Sequence, residues 1–235
     1  QFNRSVALCW KQIMEILPSV ELESPLGVEV NAAIIWLHGL GADGNDFAPI
    51  VPQLATPDNF GIRYVFPHAP SIPVTINNGL VMPAWYDIKG LDSDRHIEDR
   101  EVQQSAQRVH NLIDREVQRG VSSERIIVAG FSQGGAVAFE AALTYPKSLG
   151  GIMALSSYFA TADTIDIDPI HNTIPIMICH GTMDSVLPDS LGRKSFATLQ
   201  NLGFVPEYND YAMEHAVCPQ EITDIGNWIT RVLLK

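Results

Sequence analysis

Ten residues near the middle of the chain decide the fold, Arg125-Ile-Ile-Val-Ala-Gly-Phe-Ser-Gln-Gly134. They begin with an uninterrupted apolar run, which is typical of a strand buried on both faces. They end in the pattern Gly-x-Ser-x-Gly around Ser132, and a helical segment rich in small residues follows until Tyr145 and Pro146 stop it. A strand, a tight glycine turn and a helix in direct succession are the context in which this pattern holds a serine nucleophile.

The two glycines of the pattern have a physical reason. A serine at a strand-to-helix turn has strained backbone, and side chains two residues to either side would collide with the turn. The N–H groups at the start of the next helix point to where negative charge develops on a reacting oxygen. The pattern alone arises by chance in roughly one chain in fifteen of this length. An ordinary glycine-rich loop is therefore the alternative, and the flanking strand and helix argue against it.

Further apolar runs alternate with amphipathic segments along the chain. We expect strands at Ala32–Leu37, Ile62–Phe66, Arg125–Ala129, Gly151–Leu155 and Ile174–Cys179, and a last strand at Phe204–Tyr211. Helices are predicted at Glu98–Arg119, Gly134–Thr144, Asp189–Gln200 and Pro219–Leu234. This alternation predicts an α/β fold, a single doubly wound and mostly parallel sheet flanked by helices. We expect residues 1–17 to be an N-terminal extension whose origin is open, with Met14 a candidate natural start, and residues 18–235 to form one domain.

Composition excludes several classes of protein. The chain has 235 residues, with 15 Lys and Arg against 27 Asp and Glu, so its net charge is −12. Such an acidic chain lacks the basic footprint of a nucleic-acid binder or of a polybasic membrane anchor. Three cysteines, none at metal-ligand spacing from another, form no disulfide framework and favour a reducing compartment, the cytoplasm. No apolar stretch free of charge and proline is long enough to predict a transmembrane segment.

A serine nucleophile needs a base, and the base needs an orienting carboxylate. In this architecture both follow the serine in the order acid, then histidine, at the ends of later strands. The strand Ile174–Cys179 leads to Asp184, and His215 is the one histidine of seven that lies beyond it. Asp184 competes for the acid role with four other carboxylates, Asp189, Glu207, Asp210 and Glu214.

Two backbone N–H groups are expected to form an oxyanion hole. One belongs to Gln133, directly after the serine. The other should come from the loop after the first predicted strand, where we choose Leu40. His38 falls at the end of that strand, and we expect it to bond the loop backbone rather than to act as a base.

In these motifs the chain resembles a known family, that of acyl-protein thioesterases and carboxylesterases/phospholipases, which are small serine α/β hydrolases. The similarity runs from about Ala32 to the end of the chain. The pieces that carry it are Leu37–Gly44, Phe66–Pro70 with Pro73–Thr75, Met82–Ile88, Gly130–Gly135, Cys179–Asp184, and Met213–His215 with Cys218. The Pro-His-Ala-Pro and Ala-Trp-Tyr-Asp pieces are far more specific than the serine pattern.

The resemblance implies an α/β-hydrolase domain that hydrolyses acyl esters or thioesters, with Ser132, Asp184 and His215 as a catalytic triad. It implies Leu40 and Gln133 as oxyanion donors, and no metal or organic cofactor. The substrate would be a small acyl ester or thioester, an acylated protein or a lysophospholipid. The location would be cytoplasmic, and a homodimer is a candidate assembly.

The sequence departs from the family in three loops. After the glycine turn the family often has Asp-Pro, whereas here Asp184 is followed by Ser185. A hydroxyl residue commonly follows the base, whereas here Ala216 does. The loop from Ser157 to Ile170 also differs from the Trp-Leu-Pro sequence that is usual in the family. These departures affect the expected substrate preference and leave every catalytic group in place. In the family, the charge-free segment Tyr64–Tyr86 borders an acyl-binding groove, and plain packing on the core is the alternative. The candidate groove residues are Ile72, Val74, Ile76, Leu80, Val81, Met82 and Trp85.

Three other functions compete with the esterase hypothesis. A peptidase or lactone hydrolase would use the same triad on the same fold, and a binding module would keep the fold without catalysis. A nucleotide-binding protein is least favoured, since no glycine fingerprint or phosphate-binding lysine follows the first predicted strand.

Overall fold

The computed structural model describes residues 16–90 and 97–234. Most of the predicted extension, residues 1–15, lies outside the described residues, while Leu17 is buried in the core. The strands are β1 (Ser19–Ser24), β2 (Val30–Leu37), β3 (Gly61–Pro67), β4 (Ser71–Val74), β5 (Leu80–Pro83), β6 (Ile126–Phe131), β7 (Gly151–Leu155), β8 (Ile176–Gly181) and β9 (Glu207–Tyr211). The α-helices are α1 (Asp99–Gln118), α2 (Gln133–Thr144), α3 (Asp189–Asn201) and α4 (Pro219–Leu233).

In the described part of the chain, seven strands form one sheet in the order β1-β3-β2-β6-β7-β8-β9. Within this seven-stranded sheet, β1 runs antiparallel to its neighbour β3, and the other neighbouring strands run parallel to one another. The predicted doubly wound, mostly parallel sheet is therefore confirmed. The carboxyl ends of β2, β6, β8 and β9 lie at one edge, which is where parallel sheets of this kind bind ligands.

Helices cover both faces of the sheet. Along β2, Ala33, Ile35 and Leu37 face a core shared with α1, α2 and α3. The alternate residues Ala32, Ile34 and Trp36 face a second core shared with α4 and with the short 3₁₀ helix at Ala48–Gln53. Because both faces are buried, the inner strands carry uninterrupted apolar runs instead of alternating patterns.

Strand β1 and the small hairpin of β4 and β5 were not predicted from the sequence. Strand β1 reads Ser-Val-Glu-Leu-Glu-Ser, and its side chains are half-buried or exposed because it lies at the edge of the sheet. The hairpin lies within the charge-free segment and turns at Asn78 and Gly79, both in the left-handed backbone region. Strand β1 lacks the continuous hydrophobicity by which the central strands were found, and β4 and β5 are each only four residues long and contain a proline.

None of the helices within residues 16–90 and 97–234 combines the length and the apolar character that crossing a bilayer requires.

Candidate active site

Ser132 lies in the tight turn between β6 and α2. Its backbone has φ 54° and ψ −118°, a positive-φ conformation that non-glycine residues rarely adopt. The turn is held by the Ser132 N–H, which donates to the Leu155 carbonyl at 2.8 Å, and by the Ser157 hydroxyl, which donates to the Ser132 carbonyl at 2.6 Å. The strained serine is therefore fixed by hydrogen bonds from the neighbouring strand β7 and the loop after it.

The two glycines of the serine pattern allow the turn to close. A Cβ atom on Gly130 would lie 2.2 Å from the carbonyl oxygen of Gly134. A Cβ atom on Gly134 would lie 2.5 Å from the carbonyl oxygen of Leu37 and 2.6 Å from that of His38. The second contact matters for the site, because Leu37 ends β2 and His38 begins the loop after it. The turn that carries the serine thus packs directly on that loop.

Ser132, His215 and Asp184 form a continuous hydrogen-bonded chain. The Oγ atom of Ser132 is 2.9 Å from Nε2 of His215, and Nδ1 of His215 is 2.6 Å from Oδ2 of Asp184. The imidazole also packs on the ring of Phe131, with 4.8 Å between ring centroids. Since a carboxylate only accepts, Nδ1 carries the hydrogen and Nε2 is free to accept the serine proton.

Asp184 is buried and fully hydrogen-bonded. Its Oδ1 atom accepts from the backbone N–H groups of Val186 at 2.9 Å and Leu187 at 2.8 Å, and Oδ2 faces His215. His180 supports the same turn, since its Nε2–H donates to the Leu187 carbonyl at 2.7 Å. Backbone donors of this kind stabilise a buried carboxylate in its charged form.

The four carboxylates that competed with Asp184 lie elsewhere. Asp189 accepts from the hydroxyl of Tyr208 and from Arg193, and Asp210 also pairs with Arg193. Glu207 pairs with Arg231, and Glu214 is exposed. Of these five acidic residues, the structure brings Asp184 to His215.

Leu40 and Gln133 both line a cavity above Ser132. In the part of the chain that the structure describes, neither backbone N–H donates a hydrogen bond. The loop is shaped by the Gly41 N–H, which donates to the Pro83 carbonyl at 2.8 Å. Two free N–H donors beside a serine hydroxyl are the arrangement that an oxyanion hole requires.

His38 bonds the loop backbone through both ring nitrogens. The Ala69 N–H donates to Nε2 at 3.1 Å, so Nδ1 carries the hydrogen and donates to the Gly39 carbonyl at 2.7 Å. Burial lowers the pKa of this imidazole, which keeps it neutral.

The cavity has a volume of about 250 Å³, and its walls are mostly apolar. Of the candidate groove residues, only Ile76 lines it among the described residues. Val74 and Trp85 are buried below the surface, Leu80 and Val81 are 63% and 62% exposed on the hairpin, and Ile72 and Met82 are half-buried away from the cavity.

Most of the cavity wall was not predicted from the sequence. The lining residues that were not predicted are Ala42, Asp46, Tyr86, Ile88, Phe131, Tyr158, Val186 and Leu187. Several stand within three residues of a predicted site residue, at the carboxyl end of a strand. That proximity was the available signal, but it does not tell which side chains turn toward Ser132.

No group of three or more His, Cys, Asp or Glu side chains suited to a metal ion occurs within the described ranges.

Comparison with known proteins places the chain in a family. Residues 21–233 match the model of the phospholipase/carboxylesterase family. The chain is 33% identical to acyl-protein thioesterase 1 of Gibberella zeae over 220 residues, which is 89% of this chain and 94% of that protein. It is 37% identical to a probable carboxylesterase of Oryza sativa over 201 residues, covering 83% of this chain and 76% of that one.

Solved structures show the same fold. The SOBER1 protein of Arabidopsis thaliana superposes with a TM-score of 0.80 at 32% identity, covering 86% of this chain and 99% of that one. Acyl-protein thioesterase 2 of Zea mays superposes with a TM-score of 0.81 at 28% identity, covering 92% of this chain and 100% of that one. The chain therefore belongs to the phospholipase/carboxylesterase family and is a carboxylic-ester hydrolase with the α/β-hydrolase fold.

Proposed function

We propose that the protein hydrolyses acyl esters or thioesters through a Ser132–His215–Asp184 triad and an acyl-enzyme intermediate. The observation that carries the proposal is the hydrogen-bonded chain from Ser132 to Asp184 beneath an apolar cavity. The chain of contacts supplies a nucleophile, a base and an orienting acid, and the cavity supplies room for an acyl group.

In the first half of the reaction, Nε2 of His215 accepts the Ser132 proton as Oγ attacks the acyl carbonyl carbon. The carbonyl oxygen becomes negatively charged, and the N–H groups of Leu40 and Gln133 donate to it. Asp184 stabilises the imidazolium through the bond at Nδ1. His215 then gives its proton to the departing alcohol or thiol, the bond from carbon to that group breaks, and the acyl group stays on Ser132.

In the second half, His215 takes a proton from water, and the resulting hydroxide attacks the acyl-serine ester. The same two N–H groups stabilise the second oxyanion. Collapse of the intermediate releases the carboxylic acid, and His215 returns the proton to Ser132.

The lining of the cavity supports an acyl substrate. Leu40, Ile76, Ile88, Val186 and Leu187 present apolar side chains to the space above Ser132. An apolar wall contributes binding free energy in proportion to the apolar surface that the ligand buries. The names of two relatives, both acyl-protein thioesterases, point to the same class of substrate. The cytoplasmic location and the homodimer stay predictions.

The experiment is a substitution of the nucleophile. Ser132→Ala should lower kcat for a short nitrophenyl ester and for an acyl thioester by about 10⁴-fold or more, and should abolish labelling by a fluorophosphonate. Ser71→Ala, at an exposed serine on β4, is the control and should behave as the unmodified protein. Retained hydrolysis by Ser132→Ala would refute the proposal. A peptidase would instead show itself by faster cleavage of peptide substrates than of esters.

A further inference from the structure

Trp85 occupies an unexpected place. It was predicted to line the acyl groove, yet it is 2% exposed and is absent from the lining of the cavity. Its indole N–H donates to the carbonyl oxygen of His38 at 2.8 Å, in a hydrogen bond that is itself buried. The two rings also pack together, with 5.2 Å between the centroids of His38 and Trp85.

The carbonyl of His38 also touches the turn that carries the nucleophile. As described above, it lies close enough to Gly134 that a Cβ atom there would approach it to 2.6 Å. It is also two residues before Leu40, whose N–H is a proposed oxyanion donor. The orientation of the His38 peptide group therefore influences where the Leu40 N–H lies relative to Ser132.

The main chain of Trp85 is tied to the other donor. Its backbone N–H donates to Oε1 of Gln133 at 2.8 Å, and Nε2 of Gln133 donates to the Tyr86 carbonyl at 2.7 Å. The Gln133 side chain is buried and satisfied at both ends, so its amide has one orientation. The Trp85 carbonyl accepts in turn from the hydroxyl of Ser105 on α1.

We propose that Trp85 is a positioning residue of the oxyanion hole, joining the loop that carries the Leu40 N–H to the turn that carries the Gln133 N–H. The inference rests on the proposed function, because it assigns Trp85 a role in placing the two donors of that reaction. Trp85 does not touch the reacting atoms. It acts through the His38 carbonyl on one side and the Gln133 side chain on the other.

The chemistry of the network suits this role. An oxyanion hole is effective when its donors are held about 2.7–3.1 Å from the position that the oxyanion will occupy. The two donors come from separate loops, so a direct link between the loops is needed to fix their spacing. Indole, amide and neutral imidazole groups make that link without placing a full charge near the developing oxyanion.

A Trp85→Phe substitution tests the inference, because phenylalanine keeps an aromatic ring and lacks the indole N–H. We expect kcat for a short nitrophenyl ester to fall by about 10- to 100-fold, with KM changed less than about threefold. Binding of a trifluoromethyl ketone, whose adduct with the serine places an oxyanion in the hole, should weaken by the same factor as kcat/KM.

Trp228→Phe is the matched control. Trp228 is also buried, but its indole nitrogen has no hydrogen-bond partner in the described part of the chain. This variant therefore loses the same atoms from a core without losing a hydrogen bond, and its kcat should stay within about twofold of the unmodified protein.

Two outcomes would overturn the inference: an equal loss of kcat in both tryptophan variants, or a rise in KM at unchanged kcat in Trp85→Phe. If Trp85→Phe does not fold, Gln133→Met removes the other link while keeping the Gln133 backbone N–H, and it must show the same loss of kcat and of ketone binding. Failure of the proposed function would be visible in the unmodified protein, which would then escape fluorophosphonate labelling at Ser132. Failure of this inference would leave that labelling intact.

Discussion

The two sides of Ser132 are built from different kinds of groups. The acid–base side comprises residues 181–187 and 211–221, and its buried groups include the ionisable side chains of Asp184 and Glu221. The side of the proposed oxyanion donors, called the oxyanion side, comprises residues 38–41 and 83–88, and its buried polar groups include a neutral histidine, an indole, the phenol of Tyr86 and backbone amides. Gln133, at the start of α2, completes the oxyanion side with a side-chain amide.

This difference shows two ways of ordering polar groups inside a protein. On the acid–base side, backbone N–H groups replace water around a buried carboxyl group, as they do around Asp184. On the oxyanion side, neutral dipoles satisfy one another, which costs far less desolvation than burying charge. We therefore expect the pH dependence of stability to arise on the acid–base side. Substitutions that add bulk are expected to lower kcat through the oxyanion side.

The largest effect is expected from Asp184→Asn. An asparagine can present an N–H to Nδ1 of His215, which would place the imidazole hydrogen on Nε2, where it cannot accept the serine proton. We expect kcat to fall by about 10⁴-fold with the fold intact, measured by ester hydrolysis and circular dichroism. Asp189→Asn is the control, since Asp189 accepts from Tyr208 and Arg193. A comparable loss in the control would show that the acid is misassigned.

A smaller effect is expected from Gly134→Ala. The added methyl group would lie 2.5 Å from the Leu37 carbonyl and 2.6 Å from the His38 carbonyl, so the turn and the loop must separate. We expect a loss of stability of about 1–3 kcal/mol and, for the folded protein, a loss of kcat of about 10- to 100-fold. Urea unfolding and steady-state kinetics measure the two effects separately.

Gly226→Ala is the matched control for Gly134→Ala. Gly226 lies on α4, and a Cβ atom there would come within 1.7 Å of the Leu54 carbonyl. Neither proposed oxyanion donor takes part in this contact. This variant should lose stability while its folded fraction keeps its kcat. If both glycine variants lose kcat equally, the contact between the turn and the loop has no special role.

The smallest effect on activity is expected from Glu221→Gln. Glu221 lies in the first turn of α4, close to Cys179 and Asp224, and neither carboxyl oxygen has a partner with hydrogen-bonding geometry among the described residues. Burial raises the pKa of its carboxyl from 4.5 to about 8, and the nearby Cys218 N–H and Cys179 thiol offset only part of that cost. The folded protein therefore holds this proton more tightly than the unfolded chain does.

It follows that the free energy of unfolding decreases as pH rises from about 4.5 to about 8 and levels off above that range. Glutamine has no such proton, so the free energy of unfolding of the variant should lack this decrease. The difference in that free energy between the variant and the unmodified protein should therefore shift in favour of the variant by a few kcal/mol from pH 5 to pH 8. Urea unfolding at both pH values measures the difference. Glu124→Gln, at an exposed carboxylate, controls for the loss of one negative charge. Parallel pH profiles for Glu221→Gln and the unmodified protein would contradict this account.

The acid–base side was the more predictable half of the site. Chain order and strand ends leave His215 as the one histidine for the base and Asp184 among five carboxylates for the acid, because the connections of a parallel sheet bring the carboxyl ends of its strands to one side. The turn at Ser132 was predictable for a steric reason, since its close approaches admit only glycine at Gly130 and Gly134. Strand β1 was missed because its hydrophobic pattern is weak at the edge of the sheet, and the hairpin was missed because its strands are four residues long and contain Pro73 and Pro83.

The role of Trp85 illustrates what composition could not tell. A tryptophan in a charge-free segment suits an apolar groove and a buried support equally well, and the difference lies in the direction of one indole N–H. Hydrophobic periodicity, glycine spacing and the order of Ser132, Asp184 and His215 are properties of the sequence by itself, and they determined the fold and the candidate triad. Which side chains line the cavity, and how the loop of Leu40 is joined to the turn of Gln133, was decided only by tertiary structure, because those contacts join residues distant in the chain through directional hydrogen bonds.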